Sequence, residues 1–271
     1  MTTETSHSDA QTATARSVVY DFLASMLSYP EPETFRSVAT SSSCFELDLL
    51  LQQTFADLAD HLRVVRAELR QFLTADDESA ALRNTYTELF GHAVRGTCPP
   101  YELEYGNADI LQQASELADI AGFYQAFGMD LPAESHERQD HIAVECEFMA
   151  VLAAKEAYAI ESDNDEAQQV VCGAQQSFLA DHLCRWSPAC AHRLRNANPD
   201  GLYGKVATVL DQFIKAEAER FDVSCGPELL ELRPIDAQRD ATIQCGVEES
   251  CPGSSAASEN VQSLVQIRID R

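Results

Sequence analysis

An all-α fold is what this sequence predicts: a helical bundle with a poorly structured carboxy-terminal tail. Apolar residues recur at steps of three and four, most clearly at Leu51, Phe55, Leu58, Leu62, Val65, Leu69 and Phe72. No strand–helix alternation and no internal repeat occurs. Core-forming residues thin out after Phe221, where Gly226-Pro227, Pro234 and Pro252-Gly253 gather.

The elements follow in order. Residues 1–14 are polar and Ser/Thr-rich and are expected to be disordered. A helix is expected over 15–27, stopping near Pro30 and Pro32, because proline disfavours helix continuation. The stripe from Leu51 to Phe72 suits a core helix of a bundle better than a coiled-coil seam, since so short a segment needs other helices to cover it. Helices over 76–90 and 109–127 follow, the second closed by Gly128 as C-cap. The pattern then predicts helices over 137–160, over 166–186 before Pro188, and over 201–221. The connector 129–135, containing Pro132, is a candidate hinge within a helical domain spanning 15–222. Residues 223–271 read as a loop-rich or partly disordered tail, with weak strand-like alternation at Val265, Ile267 and Ile269.

A formal net charge of −25 lowers the case for nucleic-acid and membrane-surface binding. It would attract a basic peptide, or serve solubility alone. No basic segment followed by an apolar stretch opens the chain, and no run of roughly 18 apolar residues occurs. Residence in the cytoplasm without membrane insertion is the expectation. The nine cysteines form no compact framework and read mostly as reduced, buried residues.

Glu137, His141 and Glu145 are spaced four apart, so on a helix they drift only about 40° per step and share a face. That face admits a metal site, and with it a metal-dependent helical-bundle enzyme. No matching second ligand set exists, so helix-stabilising or interface roles are favoured. His182-x-Cys184 and Cys190-x-His192 lack zinc-knuckle spacing, and residues 182 and 184 would point about 200° apart on a helix. Cys225, Cys245 and Cys251 carry no strong signature. No P-loop, nucleophile elbow or His-Glu-x-x-His motif is present. From Cys98 to Tyr105, two prolines force a turn that gathers Tyr101, Glu102, Glu104 and Tyr105. Such rings and carboxylates suit an arginine-bearing peptide, and packing of the loop onto the bundle explains them equally well.

Four blocks in order carry a resemblance: Tyr86-x-x-Leu89-Phe90, Cys98-Pro-Pro-Tyr101-Glu102-x-x-Tyr105, Glu137-x-x-Asp140-His141-x-x-x-Glu145-x-x-Phe148-Met149, and His182-x-x-x-Trp186-x-Pro188. Together they resemble the TorD-like redox-enzyme maturation chaperones. The stretch from Gln112 to Tyr124 looks most like the delta-subunit chaperones of type II dimethyl sulfoxide reductase-family molybdoenzymes. The resemblance implies a helical, cytoplasmic chaperone and not an enzyme. Such a chaperone binds the apo catalytic subunit of a molybdenum oxidoreductase, often through its twin-arginine leader peptide. It assists insertion of bis(molybdopterin guanine dinucleotide) without keeping a cofactor of its own, as a monomer or a domain-swapped dimer. A cytoplasmic structural delta subunit is a further alternative. On this reading Tyr86, Tyr101, Glu102, Tyr105, Glu137, Asp140, His141 and Glu145 form the peptide-binding surface. Gln139 departs from the family's usual proline, which leaves an earlier helix start or a looser connector as expectations.

Overall fold

The computed structural model describes residues 2–40, 54–72, 78–91, 95–106, 110–130 and 137–234. Helices α1 (Thr2–Leu27), α2 (Pro32–Thr40), α3 (Ala56–Phe72), α4 (Glu78–Phe90) and α5 (Ile110–Ala126) come first. Helices α6 (Ile142–Glu161), α7 (Asp165–Phe178), α8 (Cys184–Ala197) and α9 (Leu202–Arg220) follow. Among the described residues there is no strand, as the all-α reading expects. None of the helices is long and apolar enough to cross a membrane.

The stripe on α3 faces inward as its spacing requires: Leu58, Leu62, Val65 and Leu69 are buried. Leu51 lies outside the described residues. Gly128 closes α5 at φ 74°, and the next amide, Met129 N–H, reaches back to Tyr124 O at 2.9 Å. Helix α5 docks through rings, with Tyr124 4.9 Å from Phe148 and Phe123 5.4 Å from Phe178.

Arg16 ties four helices. From α1 its guanidinium donates to Glu217 of α9 at 2.7 and 2.6 Å, Glu156 of α6 at 2.5 Å and Gln175 of α7 at 2.6 Å. A fully buried guanidinium is tolerable only with its donors matched in this way.

Several expectations need correction. Residues 1–14 were expected to be disordered, yet α1 is helical from Thr2. Ala10 and Ala13 are buried against Ala157 and Ile160 of α6, their small side chains permitting a close helix approach. Helix α2 begins at Pro32 because proline suits the first helical position, where its missing N–H costs nothing. Helix α6 begins at Ile142, not at residue 137, since His141 caps it. Glu137 therefore precedes the helix, and Gln139 does not start it earlier.

The helix expected to end before Pro188 instead runs on. A π-turn at Leu179–Leu183 joins α7 to α8, and Pro188 lies inside α8. Proline there withholds the N–H that would serve the carbonyl of Cys184. Gly226 N–H serves it instead, at 2.9 Å. Residues 223–234 are thus a docked strap and not the start of a loose tail: Gly106 N–H donates to Glu231 O and Arg233 N–H to Glu104 O, each at 2.8 Å. Residues 235–271, with Cys245, Cys251 and the alternating run, lie outside the described residues, as do 131–135 of the candidate hinge.

Candidate functional site

Pro99 and Pro100 lead the 98–106 loop, extended at Tyr101 and then wound into one 3-10 turn over Glu102–Glu104, against the start of α6. Ile142 N–H donates to Pro100 O at 2.8 Å, and Glu102 N–H to Asp140 O at 2.9 Å. Asp140, fully buried, accepts Leu103 N–H at 3.2 Å and a two-pronged Arg138 guanidinium at 2.9 and 2.7 Å. Burial pushes its carboxyl up, against the pull of Arg138 and the Leu103 N–H. Arg138 also lies 4.6 Å over the Tyr101 ring.

His141 caps α6 by accepting Ala143 N–H on Nδ1 at 3.1 Å. Burial, helped by Arg138, lowers its pKa to about 3, so the ring is neutral and carries its proton on Nε2. That nitrogen stands 3.6 Å from Glu137 Oε2, beyond hydrogen-bond reach. Tyr101 O–H reaches Glu137 Oε2 at 3.3 Å.

Glu145, also fully buried, accepts the Trp186 indole N–H at 3.2 Å. Burial and the neighbouring charge of Glu102 push its pKa well up, which keeps the carboxyl protonated. Glu137, His141 and Glu145 thus have three separate partners: the Tyr101 hydroxyl, the Ala143 N–H and the Trp186 indole. Among the described residues no cluster of three or more His, Cys, Asp or Glu side chains could hold a metal ion.

Glu102 turns inward to His182. The His182 Nδ1–Glu102 Oε2 contact is 3.1 Å, and Nε2 reaches Asp119 Oδ2 at 3.2 Å. Burial alone would lower the His182 pKa, but Glu102 and Asp119 outweigh it and raise it. A carboxyl group at each ring nitrogen favours the imidazolium form. Burial raises the Glu102 carboxyl against the opposing pull of His182 and Arg185. Arg185 bridges onward, 3.7 Å from Glu102 Oε1 and 3.4 Å from Glu116 Oε1.

This chain of charges opens into a cleft of ≈ 770 Å³ between α5 and the α7–α8 junction, lined by Ser115, Glu116, Asp119, Asp181, His182 and Arg185. Its rim carries carboxylates around a fixed imidazolium, an arrangement that can accept a guanidinium or ammonium group. Leu111, 82% exposed, stands one turn before Ser115 on α5 and offers apolar contact beside it.

The side chains of Glu102, Tyr105, Asp140, His141 and Glu145 are buried, whereas Tyr101 and Glu137 reach the surface in part. Tyr86 is buried in a separate ring cluster, 4.4 Å from Phe90 and 5.5 Å from Tyr29. Tyr105 donates to Pro99 O at 2.9 Å and packs 5.0 Å from Trp186. Glu116, Asp119, Asp181 and Arg185 were not singled out as site residues. Asp119 and His182 are too far apart in sequence for spacing to link them. The presence of His182 in the fourth block was the one available signal.

A family model described as "Nitrate reductase delta subunit" matches residues 50–192, more than half of the chain. The chain belongs to this family. Its relatives include the perchlorate reductase assembly chaperone protein of Dechloromonas aromatica (strain RCB), 27% identical across 76% of this chain and 89% of that one. The chaperone protein TorD of Vibrio cholerae is 26% identical across 57% of this chain and 68% of its own length. The selenate reductase assembly chaperone protein of Thauera selenatis is 29% identical across 43% and 58%. No solved structure gives a significant match. Family and relatives together bear out the TorD-like chaperone reading over the metal-enzyme alternative.

Proposed function

We propose that this chaperone binds the catalytic subunit of a molybdenum-containing reductase in the cytoplasm, before export. It holds that subunit while bis(molybdopterin guanine dinucleotide) is inserted. The carboxylate-rimmed cleft around His182 carries the proposal, because Glu116, Asp119 and Asp181 there offer acceptors to the arginines of a twin-arginine leader. Glu116, Asp119 and Asp181 take the guanidinium groups, and Leu111 takes an apolar side chain of the leader. Tyr101 and Glu137, the partly exposed members of the sequence-derived set, extend the contact around the loop. Glu102, Tyr105, Asp140, His141 and Glu145 position the loop and His182 from within, and Tyr86 steadies the bundle behind them.

Calorimetry with the leader peptide of the reductase encoded beside this chain tests the reading. Exposed ion pairs are each worth about 0–1 kcal/mol, so Glu116→Gln with Asp119→Asn should weaken binding by about tenfold. Rising salt should weaken it further. Equal affinity of the double variant and the parent would reject the cleft. Absence of binding by the parent protein would reject the leader as the partner.

A further inference from the structure

The strap joins the end of α9 to the 98–106 loop by crossing α8. A backbone bond lays it on α8, where Gly226 N–H meets Cys184 O at 2.9 Å. A Cβ added at Gly226 would lie 2.1 Å from Arg185 O, so the two backbones touch with no room for a side chain. The backbone bond from Gly226 to Cys184 and the close approach of Gly226 to Arg185 set Cys225 beside Cys184 at this crossing.

We propose that Cys184 and Cys225 form a redox dithiol, closed to a disulfide by a hydroperoxide and pinning the strap onto α8 beside the cleft. Both cysteines are free thiols in this structure, Cys184 buried and Cys225 partly exposed. The neighbouring Cys184 thiol, with help from Lys215, brings Cys225 down to about 7 against burial and Asp211. The pairing with Cys225, reinforced by burial, pushes Cys184 up. The roles divide by access: the partly exposed Cys225 meets the oxidant first, and the buried Cys184 resolves it. Cys98, Cys146 and Cys190 are buried, and burial raises each of them.

The chemistry balances in two steps. Cys225 thiolate attacks the peroxide, the O–O bond breaks, and hydroxide leaves to give a sulfenic acid. Cys184 sulfur then attacks the Cys225 sulfur, the S–S bond forms and the S–O bond breaks. The second hydroxide takes up the Cys184 proton as water. Two electrons pass from the thiols to the peroxide. Arg185, adjacent to Cys184, reaches Glu102 and Glu116, so the disulfide would stiffen one wall of the cleft. The inference rests on the strap and stands whatever partner the cleft takes.

The test uses the full chain, reduced, freed of reductant and treated with hydrogen peroxide before alkylation of remaining thiols. Non-reducing digestion and mass spectrometry should recover a peptide linking Cys184 to Cys225, lighter by two hydrogens and released by a thiol reductant. Hydrogen exchange across Gly226–Arg233 should slow by about tenfold or more, within what a disulfide can supply. In Cys225→Ser, checked for unchanged helicity, Cys184 should stay alkylatable after unfolding and the exchange should not respond to peroxide. Recovery of Cys184 as free thiol in oxidised parent protein, with Cys225 overoxidised or joined elsewhere, overturns the pairing. A link that leaves exchange unchanged overturns the pinning.

Discussion

Trp186 donates its indole N–H to Glu145 at 3.2 Å in a fully buried site, joining the first turn of α6 to α8 behind the 98–106 loop. The acceptor is a carboxyl held protonated by burial and by the charge of Glu102. Its raised pKa means that the folded chain keeps a proton which the unfolded chain releases. Stability is therefore lost as pH rises above the ordinary carboxylate range near 4.5. Glu145→Gln keeps the acceptor and removes the titration. Denaturant unfolding should show the variant gaining on the parent protein as pH rises from about 4.5 through neutrality. A constant difference across that range would contradict a protonated Glu145.

His141 predicts the opposite slope. Its pKa is lowered to about 3, so the unfolded chain takes up a proton that the folded chain refuses. Stability should fall as pH drops from about 6.5 towards about 3, by at most about 1.4 kcal/mol per pH unit from this group. His141→Asn retains an N-cap acceptor without the imidazole. Unfolding curves of the two proteins should converge as pH falls through that window.

The pairing of His182 with Glu102 is buried on both sides, and removing one partner strands the other. His182→Leu should cost about 3 kcal/mol near neutral pH, measured by urea unfolding. A raised His182 pKa means that the histidine's contribution is complete below the ordinary imidazole range. It fades as pH passes the raised value, so the variant's deficit should narrow in alkali. It should narrow in acid too, where Glu102 takes up a proton.

Gly226 offers a steric test of the strap. Gly226→Ala places a methyl group 2.1 Å from Arg185 O, backbone that cannot swing aside. Overpacking of this kind costs about 1–3 kcal/mol. The loss should be local: hydrogen exchange should quicken across the strap while α1 and α6 keep their protection.

Much of the helical architecture is legible in the sequence. The Leu58–Leu69 stripe, the Gly128 cap and the ordered family blocks are local patterns, and local backbone preference and helical period act on them directly. The 98–106 loop is legible for the same reason, since Pro99 and Pro100 restrict their own backbone. The direction in which the site side chains point is not. Asp140, His141 and Glu145 are polar, and in sequence they read as surface. Burial of each rests on partners brought by other elements or by a capped backbone N–H: Arg138 and Leu103 N–H for Asp140, Ala143 N–H for His141, Trp186 for Glu145.

The sequence by itself determined the all-α class, most of the helix inventory and membership of a chaperone family. Those rest on periodicity and on motifs that are read residue by residue. Only the tertiary structure decided that Pro188 sits inside a helix, that Gly226 supplies the bond it withholds, and that His182 stands between Glu102 and Asp119 at the floor of a cleft. The physical reason is one of range. Helical period acts over a few residues, whereas a buried charge or an unserved carbonyl is satisfied by whichever donor the packed chain brings within about 3 Å, at any distance along the sequence.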